Sequence, residues 1–302
     1  MKWEKLGRIW QTQKVNDWRY NHAMVPTADY IEGDVYRVYY SGRDENNRSV
    51  IGYFLVDLKS PNKIIEVSND PVLSPGQLGC FDDNGVTPAS VVTVGEKKRL
   101  YYIGWRPRST TRMGLTPGVA ESSDGGKHFK RLTKAPILRP TNEEPLQILT
   151  APFVINTGEE WHMWYVSGIE WVHPDLPRYN IKSAYSTDGI NWIQTGKAAI
   201  DFKNSSENAL ARPCVIKDSD IYRMWFSHKS ENKTYRIGYA ESGDGITWER
   251  LDHLVGIDVS ENGWDSEMIE YAYVFYHKDR RYMFYNGNGY GISGIGLAVE
   301  TS

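Results

Sequence analysis

Acidic, basic and aromatic side chains gather just upstream of short, mostly proline-marked segments of this chain. "GCFDDNGVTP" carries Asp82, Asp83 and Asn84, and "SSENALARP" carries Glu207 and Arg212. "GWDSEMIEYA" carries Glu270 and Tyr271, and "DWRYNHAMVP" carries Asp17, Arg19 and His22. A second set lies downstream: Trp105 and Arg106 in "LYYIGWRP" and His228 in "YRMWFSH". Brought together, carboxyl groups of this kind suit the cleavage of a glycosidic bond. One carboxylic acid protonates the leaving oxygen, and a second carboxylate activates water or attacks the anomeric carbon. On this reading Asp83 is the base or nucleophile, Glu270 is the acid, and Glu207 tunes a pKa or holds a hydroxyl. Arg19, His22, Asp82, Asn84, Trp105, Arg106, Arg212, Tyr271 and His228 are the expected substrate contacts. Trp105 suits a sugar face. Arginine forks suit phosphate or carboxylate. The competing reading of these arginines is that they pair with the acids beside them and only stabilise a rim.

Convergence needs a scaffold, and the chain contains a repeat that supplies one. "YRVYYSG", "LYYIGW", "HMWYVSG", "YRMWFSH" and "YMFYNG" align on Tyr40, Tyr102, Tyr165, Phe226 and Tyr285, at spacings of 62, 63, 61 and 59 residues. A second series precedes each: "VPTADY", "TPASVV", "APFVI", "RPCVI" and "AYVFY". A third follows: "IGYF", "GVAES", "KSAYS", "IGYAES" and "IGLAVE". In three copies it runs into a turn and an aromatic, "SSDGGKHF", "STDGINW" and "SGDGITW". Each unit reads strand, tight turn, strand, loop, strand, turn, strand. A single sheet of this kind cannot bury both faces, but a radial set can. The expected fold is therefore all-β: one five-bladed β-propeller domain over residues 1–302, built of four-stranded antiparallel blades. The fifth unit lacks an outer strand, which the spare N-terminal "WEKLGRIW" can supply to close the ring.

This topology sorts the loops. The segments entering each first strand, and the loops between second and third strands, share one face and its central funnel. The Asp-Gly turns lie on the other face. Asp124, Asp188 and Asp244 are thus expected to cap turns, with Phe129, Trp192 and Trp248 packed between blades. Asp82 and Asp83 are expected to point at whatever binds on the axis.

The totals agree. The 302 residues include 11 Trp, 20 Tyr and 8 Phe, with short alternating runs throughout and little helical periodicity. A formal net charge of −3 gives no electrostatic case for nucleic acid or an anionic membrane. The start, "MKWEKLGRIWQTQK", contains no apolar run of signal-peptide length, so a cytoplasmic location is expected. Cys80 and Cys214 read as free thiols, and no zinc-binding spacing occurs.

The five units, the inner-strand prolines and the S-x-D-G-x-x-W turns resemble the furanosidase-like propellers. These include glycoside hydrolase families 43 and 32 and the mannoside phosphorylases of family 130. The resemblance implies a small-molecule carbohydrate ligand, with an axial calcium or sodium ion in some members. It also implies an acid at, or two residues before, the inner-strand proline. Here Val25, Thr87, Ala151 and Arg212 stand directly before the prolines, with Tyr271 at the equivalent point of the fifth unit, and only Glu270 holds an acidic position of this kind. The first expectation is a glycosidase acting on a small intracellular glycoside, neutral or anionic. The alternatives are glycosyl transfer or phosphorolysis in glycan or surface-polysaccharide biosynthesis, and a propeller that binds sugar or protein without catalysis.

Overall fold

The computed structural model describes residues 1–14 and 18–301, and Asp17 lies outside the described residues. The strands follow the repeat. The first is β1 (Trp3–Trp10). Four then follow as a meander: β2 (Asn21–Glu32), β3 (Val35–Arg43), β4 (Ser49–Asp57) and β5 (Ile64–Val67). The next meander is β6 (Val86–Val94), β7 (Lys97–Pro107), β8 (Met113–Ser122) and β9 (Lys130–Arg131). The third is β10 (Leu149–Asn156), β11 (Trp161–His173), β12 (Leu176–Ser186) and β13 (Ile193–Ile200). The fourth is β14 (Glu207–Asp218), β15 (Ile221–Ser230), β16 (Arg236–Ser242) and β17 (Glu249–Arg250). The last strands are β18 (Glu270–His277), β19 (Arg280–Asn286) and β20 (Ile295–Glu300), and β1 pairs antiparallel with β20 as the fourth strand of their sheet. The third and fourth meanders touch through one parallel pairing, Tyr179 with Ala209. Innermost strands pack in succession: β2 on β6, β6 on β10, β10 on β14, β14 on β18, and β18 back on β2. The result is an all-β, propeller-like arrangement of antiparallel sheets. Among the described residues no helix is long and apolar enough to cross a membrane.

Local chemistry explains the repeat. Tyr40, Tyr102, Phe226 and Tyr285 each stand directly across the ladder from a glycine: Gly52, Gly118, Gly238 and Gly296. At Gly118 and Gly238 the facing ring occupies the space a Cβ would take, and all four rings are fully buried. A large ring lying over a glycine fills the sheet face without a gap. In the third meander Tyr165 faces Lys182 instead.

The Asp-Gly turns join neighbouring sheets. Asp188 accepts the N–H groups of Ile190 and Asn191, each at 2.8 Å, and the Ser186 hydroxyl at 3.0 Å. The same serine–aspartate pairing recurs at Ser122 with Asp124 and Ser242 with Asp244. An aromatic donor from the preceding meander reaches each turn. Tyr39 donates to the Gly126 carbonyl at 2.8 Å, Tyr101 to that of Gly189 at 2.8 Å, and Trp164 to that of Gly245 at 3.0 Å. Phe129, Trp192 and Trp248 pack edge-on to the same three aromatics. Gly189 sits at φ +72°, and an added Cβ would lie 2.7 Å from the Tyr101 hydroxyl. Gly189→Ala is expected to cost about 1–3 kcal/mol, because left-handed backbone and a close approach are strained together. Urea unfolding at equilibrium measures it.

Candidate active site

A cavity of about 530 Å³ opens where the innermost strands begin. Its wall is built by a device repeated around the molecule. Each innermost strand loses register with its partner at the same place: between Met24 and Thr27, Pro88 and Ser90, Thr150 and Phe153, Ala211 and Cys214, and Glu270 and Tyr273. In four of them the bulged residue takes left-handed backbone: Val25 (φ 55°), Ala151 (48°), Arg212 (52°) and Tyr271 (56°). A β-branched valine at positive φ, directly before a proline, is held there only by its surroundings. Val25 N–H donates to Asn286 Oδ1 at 2.8 Å, and Tyr271 N–H donates to Ser227 Oγ at 2.8 Å. Such bulges re-aim a side chain out of the pleat, and all four of these residues line the cavity.

Five cations line the same wall: Arg43, Arg106, Arg112, Arg212 and Lys229. Among the described residues none of them makes a salt bridge. Arg43 donates to Asn47 Oδ1 at 2.7 Å, and burial lowers its pKa. Lys229 stands 5.1 Å over the Tyr235 ring, and its pKa is lowered by burial and by Arg112, against the pull of Glu270. Arg212 is 1% exposed. Its Nη2 donates to the Pro26 carbonyl at 3.1 Å and to Thr27 Oγ1 at 3.0 Å, while Nε and Nη1 have no hydrogen-bond partner. Burial brings its pKa down to about 10. One carboxylate, Asp175, lines the cavity from the exposed β11–β12 turn. Trp105 completes one side and donates to Thr87 Oγ1 at 3.0 Å, while Tyr179, Tyr235, Tyr271 and Tyr290 form the other.

Glu270 lies immediately behind these tyrosines. It is fully buried, and burial raises its pKa well above the carboxylate range, with Lys229 and the Tyr271 side chain opposing. Tyr179, Tyr235, Tyr271 and Tyr290 all lie within electrostatic reach of it.

Of the twelve residues singled out from sequence, Asn84, Trp105, Arg106, Arg212 and Tyr271 line the cavity and Glu270 abuts it. The other six do not line it. Asp83 turns back to accept the Gly79 N–H at 2.8 Å. Asp82 points into its own sheet, accepting from the Tyr102 hydroxyl at 2.9 Å and from Arg131 Nε at 2.7 Å. Glu207 does the same in the fourth meander. Burial pushes its pKa up, but Arg250, His228 and the Lys203 N–H outweigh that and hold it at about 2. His228 is thereby engaged, its Nδ1 lying 3.2 Å from Glu207. Arg19 is buried against Trp18. His22 bonds Asn21, and its pKa falls to about 4 through burial and Arg43.

The placement of Asp82 and Glu207 has one physical cause. Asp82, Glu144, Glu207 and Asp265 occupy equivalent crossovers, and each fastens its crossover to the sheet beneath. Three accept from the repeat tyrosine: Asp82 from Tyr102, Glu144 from Tyr165 at 2.7 Å, and Asp265 from Tyr285 at 3.0 Å. Each also meets a cation of its own sheet: Arg131, Lys182, Arg250 or Lys5. A buried acid requires such partners. Arg43, Arg112 and Lys229 line the cavity in addition to the residues singled out from sequence. Tyr179, Tyr235 and Tyr290 carried no signal beyond their aromatic type. Among the described residues no group of three or more His, Cys, Asp or Glu is arranged to hold a metal ion. A wall of five cations and one carboxylate does not fit the axial calcium or sodium of the resemblance.

No protein-family model matches the chain. It is 43% identical over 301 residues, 99% of each chain, to the uncharacterized protein MT1551 of Mycobacterium tuberculosis (strain CDC 1551 / Oshkosh). A 1,2-beta-oligomannan phosphorylase of Thermoanaerobacter sp. (strain X514) is 27% identical over 162 residues, 51% of this chain and 54% of that protein. A solved structure described as a glycoside hydrolase superposes with a TM-score of 0.78 at 18% identity, over 99% of this chain and 91% of that one. The fold is that of the furanosidase-like propellers which the repeat resembles.

Proposed function

The chain belongs to the family of MT1551, and from that starting point we propose that it is a glycan-acting enzyme, cleaving a glycosidic bond of a small glycoside in the axial cavity. We read the meanders as five blades of one closed ring over residues 1–302, with β1 completing the last blade. The observation that carries the proposal is Glu270: a fully buried carboxyl behind the cavity wall, whose pKa burial raises well above the carboxylate range. A neutral carboxylic acid at ordinary pH is what protonation of a departing alkoxide needs. Glu270 gives its proton to the glycosidic oxygen as the bond to the anomeric carbon breaks, and the electron pair leaves with that oxygen. An oxygen nucleophile forms the new bond to carbon. The carboxylate left on Glu270 is reprotonated from solvent.

A second reading concerns the nucleophile. Hydrolysis asks for a further carboxylate to deprotonate water, and beside Glu270 the wall offers cations. Inorganic phosphate brings its own nucleophilic oxygen and is held by cations. The partial likeness to a phosphorylase favours this form of the reaction. The test is incubation of the purified protein with β-linked disaccharides and short oligosaccharides, with and without inorganic phosphate, read by mass spectrometry. Sugar 1-phosphate formed only with phosphate supports phosphorolysis, and free sugar in both arms supports hydrolysis. No product from any glycoside overturns the enzymatic proposal.

A further inference from the structure

We propose that the ligand of this cavity carries a phosphate group, bound on the cationic wall; the inference rests on reading the cavity as the glycan site.

The argument is one of charge accounting. In the sheets themselves buried charges meet opposite charges: Asp82 with Arg131, Glu207 with Arg250, Asp265 with Lys5. The cavity breaks this pattern. Arg43, Arg106, Arg112, Arg212 and Lys229 face one space, Arg212 buried, Arg43 and Lys229 half-buried and Arg106 and Arg112 exposed at its mouth, and among the described residues no salt bridge joins any of them to a carboxylate. A buried cation without a counter-ion is costly, and most so where water is excluded. Arg212 is the extreme case. Strained backbone sets it into the wall, it is almost wholly buried, and two of its three nitrogens are unpartnered.

A neutral sugar would bring no counter-charge to Arg212, Arg43 and Lys229, the cations set into the wall. A single carboxylate would answer one. A phosphate group, close to doubly charged at neutral pH and with several acceptor oxygens, matches arginine forks and a lysine together. Trp105 and the tyrosines then remain for the sugar. The phosphate has two possible sources: an ester on the sugar, or the free ion.

Titration calorimetry on the full chain separates these, using a hexose 6-phosphate, a hexose 1-phosphate, inorganic phosphate, glucuronate and the free hexose as probes. A sugar phosphate is expected to bind about 10–100-fold tighter than the free hexose, with affinity falling as salt rises. Lys229→Met and Arg43→Met should each weaken it about tenfold or more while leaving free-hexose binding unchanged. Arg212→Met is the third variant, and circular dichroism checks that all three fold. If inorganic phosphate binds as tightly as the esters, the free ion is the source. If only the esters bind, the group belongs to the sugar. Glucuronate binding as tightly as the phosphates overturns the inference, as does phosphate affinity unchanged in all three variants. Phosphate binding with no glycoside cleaved keeps the inference and removes the catalytic reading. Cleavage of neutral glycosides with no phosphate binding does the reverse.

Discussion

Glu270→Gln is expected to lower turnover of a glycoside with an alkyl leaving group by about 10²–10⁴-fold, the usual contribution of a positioned general acid. The loss should be far smaller for a nitrophenyl glycoside, whose leaving group departs without a proton. A merely structural defect would lower both alike, so the ratio of the two rates is the deciding measurement. The pH profile gives a second readout. Activity carried by a protonated Glu270 falls as pH rises through its raised pKa, and the glutamine variant should lack that alkaline limb. Stability should move the opposite way. A carboxyl whose folded pKa lies above its unfolded value destabilises the fold increasingly as pH rises from the unfolded pKa to the folded one. Glu270→Gln should therefore melt at a higher temperature than the wild type at neutral pH, and at the same temperature below about pH 4. Better stability with lost turnover is the signature of a group kept for function.

Arg250→Met should be the most destabilising of the charge substitutions, at about 3–5 kcal/mol. Its guanidinium grips Glu207 through two nitrogens, each at 2.7 Å, and Glu207 is 3% exposed. Removing the cation strands a buried carboxylate at the entrance to β14. At roughly 2–4 °C per kcal/mol for a chain of this size, the melting temperature should drop by about 6–20 °C. The sign of the pH dependence follows from the same pair. The folded pKa of Glu207, about 2, lies below its ordinary value of 4.5. Its contribution is therefore complete above pH 4.5 and fades as pH falls towards 2. The variant should lose much of this acid sensitivity. Calorimetric melts of both proteins across that window check the prediction. Turnover measured well below the variant's melting point should survive, since Glu207 faces its own sheet and not the cavity.

The meanders were readable because their signals are local. Alternating runs, two-residue turns and an aromatic opposite a glycine recur every sixty or so residues, and no long-range information is needed to see them. The bulge positions were readable too, since prolines mark four of the five. The direction of a charged side chain was not. Asp82 and Glu207 sit beside the cavity-forming bulges in sequence, yet their partners Arg131 and Arg250 lie 49 and 43 residues further on, in the short outer strands. Nothing near Asp82 announces that a cation will reach back to it. The converse holds for Arg43 and Lys229. Their interest lies in having no counter-ion, and the absence of a contact is visible only once all possible contacts are in place.

The pairing of β1 with β20 has a consequence for how the molecule is made. β1 precedes its partner β20 by the whole run of intervening strands, so until β20 has been made β1 offers an unsatisfied edge while the sheets between are already able to form. A nascent chain of this design completes that sheet only once β20 has emerged, and until then carries an open β-edge of the kind that chaperones shield and that, unshielded, invites association with a neighbouring chain.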